Sequence, residues 1–128
     1  NALSTGLPSN IFDGAVMAYG LRNVSDPAKG LWELRRLLKP GAKAGVLDFN
    51  RFTKASLGSL FQKLYLRYLV VPLAGRAGLR DQYAYIESSL KAFPSGEIQE
   101  KLAIEAGFSE ACHCRIAGGQ MGLLSMKA

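Results

Sequence analysis

Six residues, Tyr19-Gly20-Leu21-Arg22-Asn23-Val24, follow directly on the apolar run Ala15-Val16-Met17-Ala18. That run is long enough for a buried strand and too short for a helix. Ligands of open α/β sheets sit outside the carboxyl ends of the strands. Arg22 and Asn23 therefore stand where a cationic fork and an amide would meet a ligand. The plainer readings are that Arg22 pairs with a carboxylate and orders the loop, and that Asn23 is a turn former.

Two further groups invite chemistry and lack its geometry. Cys112-His113-Cys114 offers three metal-ligand types. On a strand, however, His113 points away from the two cysteines, and zinc needs converging ligands. The chain has a single histidine, so a Ser/His/Asp set would have to borrow the same residue. Gly118-Gly119 with Gly122 lacks the strand–turn–helix context of a dinucleotide fingerprint and reads as a hairpin turn.

The elements that must position these residues are legible in outline. Asn1 to Asn10 reads as loop, with Gly6, Pro8, Ser9 and Asn10 as breakers. Ile11 to Ala18 is the first strand. Asp26 caps a helix with Pro27 at its first position. Leu31, Leu34 and Leu38 mark its buried face, Trp32 adds packing, and Lys39-Pro40-Gly41 stops it. Ala44 to Phe49 is a second strand, apolar as a strand covered on both faces should be. Leu57 to Val71 forms a long amphipathic stripe, interrupted by Lys63 and Arg67 and so no membrane span. Asp81 to Phe93 reads as a further helix. Ser95 caps another, with Glu97 in its first turn and Gly107 past its end. Phe108 to Ile116 and Gln120 to Met126 are strands joined at Gly118-Gly119.

This alternation predicts an α/β fold with parallel strands and a terminal antiparallel hairpin. Two parallel strands and a hairpin would leave one apolar edge bare, which predicts more strands before Asn1. The 128 residues, 48% hydrophobic, fit one small domain. The net charge of +6 is scattered, with no run longer than Arg35-Arg36. It permits contact with an anionic membrane surface and lacks a nucleic-acid signature. Two cysteines make no disulfide framework, so a reducing compartment is expected.

Phe12-Asp13, Gly20-Leu21-Arg22-Asn23-Val24 and Arg36-Leu37-Leu38-Lys39-Pro40-Gly41 together resemble the ubiquinone/menaquinone biosynthesis C-methyltransferases. The resemblance continues through Val46-Leu47-Asp48-Phe49-Asn50, Tyr83-Ala84-Tyr85-Ile86 and Phe93-Pro94-Ser95-Gly96. It ends with Glu105-Ala106-Gly107-Phe108 and Gly118-Gly119-Gln120-Met121-Gly122. It implies a Rossmann-like fold, S-adenosylmethionine as cofactor and residues 1–128 as the C-terminal part of one methyltransferase domain. The half with the glycine-rich cofactor loop and the ribose-binding acid is not in this chain. Asp48-Phe49-Asn50, Val70-Val71-Pro72 and Phe93-Pro94-Ser95-Gly96-Glu97 are similar to the plastid and cyanobacterial branch. That branch methylates demethylphylloquinone, which implies a prenylated quinol substrate and a chloroplast setting. The benzoquinol of ubiquinone synthesis, in the mitochondrion, is the alternative, and a catalytically inactive remnant that binds a membrane or a partner is another.

The resemblance also assigns roles. Arg22 is the expected catalytic residue, stabilising developing oxyanion charge on the quinol or holding a water that takes the proton. Asn1 and Ala2 would hold the adenine, while Ala18 and Tyr19 line the cofactor. Asn23, Tyr83 and Tyr85 would meet the substrate, the tyrosines through their flat faces. The Leu57 to Val71 helix, with Lys54 nearby, would form a lid, a prenyl route or a peripheral membrane contact. A homodimer is left open.

Overall fold

A computed structural model describes residues 1–50, 89–90 and 92–128. The Leu57 to Val71 stripe, Tyr83, Tyr85 and most of the Asp81 to Phe93 helix lie outside the described residues. The end of that last helix is seen, where the Phe93 N–H donates to the Ser89 carbonyl at 3.0 Å.

The described elements are β1 (Phe12–Ala18), α1 (Pro27–Leu37), β2 (Leu38–Phe49), α2 (Gly96–Glu105), β3 (Glu110–Ile116) and β4 (Met121–Lys127). They form a four-stranded sheet in the order β1-β2-β4-β3. The β1–β2 pair is parallel, and β4 runs antiparallel to both β2 and β3. The expected α/β architecture with parallel strands and a terminal hairpin is therefore present.

Period-two alternation decides which side chains meet the helices. Ala44 and Val46 of β2 and Leu124 and Met126 of β4 face one side, with Ala15 and Met17 of β1 packed against them. On that side they join Leu31, Ala103 and Phe108 in one core. Leu21, Leu31, Leu38, Val46 and Leu124 are fully buried, each side chain contributing about 1.5–3 kcal/mol. The run Ala15 to Ala18, expected as a buried strand, is a strand but not a buried one: Val16 is 88% exposed and Ala18 is exposed, because only the face carrying Ala15 and Met17 meets the core. β1 is an edge of the described sheet.

Helix α1 begins as expected, with the Asp26 carboxylate accepting the Lys29 N–H and Pro27 at the first position. It ends one residue early. Leu38 is extended and opens β2, so its burial comes from a strand and not from the helix face. Pro40 disfavours helical backbone at Lys39. The segment instead pairs with the chain end: the Gly41 N–H donates to Ala128 and the Ala128 N–H to Ala42. The β1–β2 register jumps there, from Phe12 opposite Leu38 to Gly14 opposite Lys43. Trp32, expected to pack, is 55% exposed.

Ser95 occupies the N-cap of α2, but its side chain makes no cap bond. The Gln99 side-chain amide reaches back instead to the Pro94 carbonyl at 2.8 Å. At the other end Gly107 sits at φ +97°, and Phe108 and Gly107 donate to Ala103 and Ile104. That is the Schellman closure expected from a glycine past the helix.

The N-terminal loop is pinned by Glu33, which is 3% exposed. Its carboxylate accepts two bonds from the Arg36 fork at 2.8 Å, and the Thr5 hydroxyl and N–H at 2.6 and 2.9 Å. Arg36 first, then Thr5, hold the carboxyl well below the usual carboxylate range. A group depressed on folding stabilises the protein above its unfolded pKa, about 4.3, and that stability is lost as pH falls toward the folded value. Glu33→Gln is expected to lower the melting temperature at pH 7 and to flatten the fall in stability below about pH 4.3. Melting curves taken from pH 7 to 3 check this; equal slopes in variant and parent would refute it.

Candidate active site

The carboxyl ends of β1 and β2 lie side by side because the two strands are parallel and adjacent. Beyond β1 the chain turns sharply at Tyr19, a non-glycine residue at φ +54°, and enters a 3-10 turn over Leu21–Asn23. Strain of this kind at a strand end is characteristic of functional positions. The Tyr19 N–H is anchored on the Leu47 carbonyl at 2.8 Å.

Arg22 projects from that turn onto Asp48, the penultimate residue of β2. Nε lies 3.3 Å from Oδ1, and the Arg22 backbone N–H donates to Oδ2 at 3.0 Å. The Phe49 N–H also donates to Oδ1, at 2.8 Å. The two side chains are only 5% and 4% exposed. Nη1 donates to the Ser89 hydroxyl. The guanidinium carbon stands 5.6 Å from the centroid of the Phe49 ring, within cation–π range.

An aromatic wall extends from that ring. Phe49 and Tyr19 have centroids 5.3 Å apart at 46°, and the Tyr19 hydroxyl points to the Met121 sulfur at 3.8 Å. Asn23 donates its amide to the Tyr19 carbonyl at 2.7 Å, which fixes the turn. Asn50 is buried and donates to the Gly119 carbonyl at 3.0 Å, and its N–H donates to Gln120. The hairpin turn is thereby bound to the end of β2.

Of the residues expected from sequence, Ala18, Tyr19, Arg22 and Asn23 come together here. Ala18 and Tyr19 are exposed, so the end of β1 stays accessible. Asn1 and Ala2 lie in the exposed N-terminal loop, where the Asn1 side chain accepts the Leu3 N–H at 3.0 Å. That loop reaches the site's flank, since Leu3, Leu21 and Val24 converge on Gly30. Tyr83 and Tyr85 are outside the described residues. Asp48, Phe49, Asn50 and Met121 belong to the cluster and were not among the expected site residues. The available signal was Asp48 itself: an acidic residue closing an otherwise apolar strand needs a partner.

His113 does turn away from the cysteines. Its ring lies between Gly96 and Gly122, while Cys112 and Cys114 are exposed.

A buried ion pair, an aromatic wall and an accessible strand end can bind a flat, oxygen-bearing ring and hold charge beside it. Comparison with known proteins bears on the family and the fold. The chain is 49% identical over 124 residues to a 2-phytyl-1,4-naphtoquinone methyltransferase of Trichormus variabilis, covering 97% of this chain and 54% of that protein. It is 43% identical over 113 residues to the chloroplastic 2-phytyl-1,4-beta-naphthoquinone methyltransferase of Arabidopsis thaliana, covering 88% and 43%. The chain thus spans about half the length of the curated relatives it matches. Among solved structures, a SAM-dependent methyltransferase from Thermotoga maritima superposes with a TM-score of 0.61 at 20% identity, over 99% of this chain and 61% of that one. That likeness supports the fold. The pattern of the ubiE/COQ5 methyltransferase family matches residues 1–125, and the chain belongs to that family.

Proposed function

We propose that the enzyme containing this chain transfers a methyl group from S-adenosylmethionine to a ring carbon of a prenylated naphthoquinol, demethylphylloquinol. The observation that carries the chemistry is the Arg22–Asp48 pair, buried against Phe49 at the strand ends. The substrate class follows the names of the relatives.

S-adenosylmethionine supplies an electrophilic methyl on its sulfonium. The ring carbon must be made nucleophilic, which requires charge on a quinol oxygen. Arg22 stabilises that oxyanion charge, directly or through a water that takes the proton. Asp48 holds the guanidinium in place, and Asn23 fixes the turn that presents it. Tyr19 and Phe49 offer ring faces to the planar head group, and Tyr83 and Tyr85 add to them. The residues present fit part of the cofactor. The Asn1 amide and Ala2 backbone suit an adenine edge, and the exposed end of β1 at Ala18 and Tyr19 suits the cofactor's flank. Additional strands carrying the glycine-rich loop would pair with the exposed edge of β1, making residues 1–128 the C-terminal part of one domain. The chloroplast is the setting this reading implies. The net charge of +6 favours a peripheral membrane contact, which the Leu57 to Val71 segment would make, and a homodimer is compatible with it.

The test is an assay of the intact enzyme with S-adenosylmethionine and two acceptors, a demethylated phytyl naphthoquinol and a demethylated prenyl benzoquinol. The naphthoquinol is expected to win in kcat/KM by at least about 10-fold. A reversed preference would move the substrate to the ubiquinone pathway. Turnover of neither would leave the inactive, partner-binding remnant.

A further inference from the structure

Cys112 and Cys114 stand two residues apart on β3, an edge strand of the described sheet. Both are exposed, and their sulfurs lie 3.9 Å apart on one face. Across the strand pair they oppose Ser125 and Leu123. We infer that Cys112 and Cys114 form a two-thiolate site for a single soft monovalent cation of linear preference, of the Cu(I) class.

Distances separate this reading from a disulfide. A disulfide needs its sulfurs at about 2.05 Å and its Cβ atoms about 3.5–4.5 Å apart. Residues two apart on an extended strand are separated by about 6.6 Å, with parallel Cα–Cβ bonds. Closing that bond would buckle β3 and break its ladder with β4. With the zinc–thiolate length of about 2.3 Å as the upper guide, a cation in line between the sulfurs needs them no more than about 4.6 Å apart. Rotation of the two side chains from 3.9 Å supplies that without moving backbone.

Ligand number gives the metal class. His113 is on the opposite face, and no group of three or more His, Cys, Asp or Glu side chains that could hold a metal occurs among the described residues. A tetrahedral zinc site is thereby unsupported, whereas two thiolates alone suit Cu(I). The balance is two thiols plus one monovalent cation giving one bis-thiolate anion and two protons, with no electron transferred.

The experiment titrates the intact, reduced protein anaerobically with Cu(I) against a coloured Cu(I) chelator, with native mass spectrometry for stoichiometry. One Cu(I) per chain is expected, with binding abolished in both Cys112→Ser and Cys114→Ser. Both variants should keep the parent's circular dichroism, as these thiols are exposed. Retention of tight binding in either variant would overturn the proposal. So would one Cu(I) shared by two chains, or Zn(II) held as tightly as Cu(I).

Discussion

Asp48→Ala is expected to destabilise the protein by about 3–5 kcal/mol, because it takes from the Arg22 guanidinium its countercharge among the described residues, in a place that water barely reaches. That is a large share of the stability of a single domain. The carboxylate also accepts the N–H groups of Arg22 and Phe49, so its loss releases the turn and the end of β2 together. A double replacement, Asp48→Leu with Arg22→Met, removes both charges and is expected to recover much of the loss. Urea unfolding with an unchanged slope measures the difference. A cost of Asp48→Ala below about 1 kcal/mol would mean that the pair is effectively screened by solvent. The same pair separates a structural from a chemical role for Arg22. Arg22→Lys keeps the charge and loses the planar fork. If the guanidinium stabilises the quinol oxyanion, kcat falls about 10²–10³-fold while KM changes little. Unchanged kcat would leave Arg22 as a tie between β1 and β2.

Gly122→Ala is the second large effect, expected to cost about 1–3 kcal/mol or more by overpacking. A Cβ there would lie 2.7 Å from Cε1 of His113, and a Cβ at Gly96 would lie 2.6 Å from Cγ of the same ring. The imidazole is gripped between the start of α2 and the start of β4, so neither backbone can retreat from it. Removing the ring should remove the clash. Gly122→Ala combined with His113→Ala is therefore expected to be more stable than the sum of the single losses, a coupling that a thermodynamic cycle reads directly. Additivity would show that the ring has room. His113 also carries a pH signature. Burial pushes its pKa below the usual 6.5, and Glu100 only partly offsets that. The unfolded chain then binds the proton first, so stability is full above about pH 6.5 and declines as pH falls through that value. The decline should be missing in His113→Ala.

The single histidine illustrates how far the sequence reaches. Strand alternation correctly turned His113 away from Cys112 and Cys114, because that follows from local backbone geometry. That Gly96 and Gly122 would be its walls depends on which strands lie beside which. The same division runs through the site. Arg22 stood out because a charged residue after an apolar run is conspicuous, and the plainer reading of it, a carboxylate partner ordering the loop, is realised in Asp48.

Local chemistry fixed the elements: the Asp26-Pro27 helix start and the Gly107 stop. It also carried the family, since ordered motifs over the whole chain are a property of the sequence alone. Local rules misplaced the start of β2, because Gly41 and Ala42 are held by hydrogen bonds to Ala128, far away in the chain. Only the tertiary structure put β4 between β2 and β3, brought Met121 under the Tyr19 hydroxyl, and made Asp48 the partner of Arg22. Those pairings join residues 26 to 102 positions apart. They are selected by the burial of the whole sheet and its helices, which no window of neighbouring residues encodes.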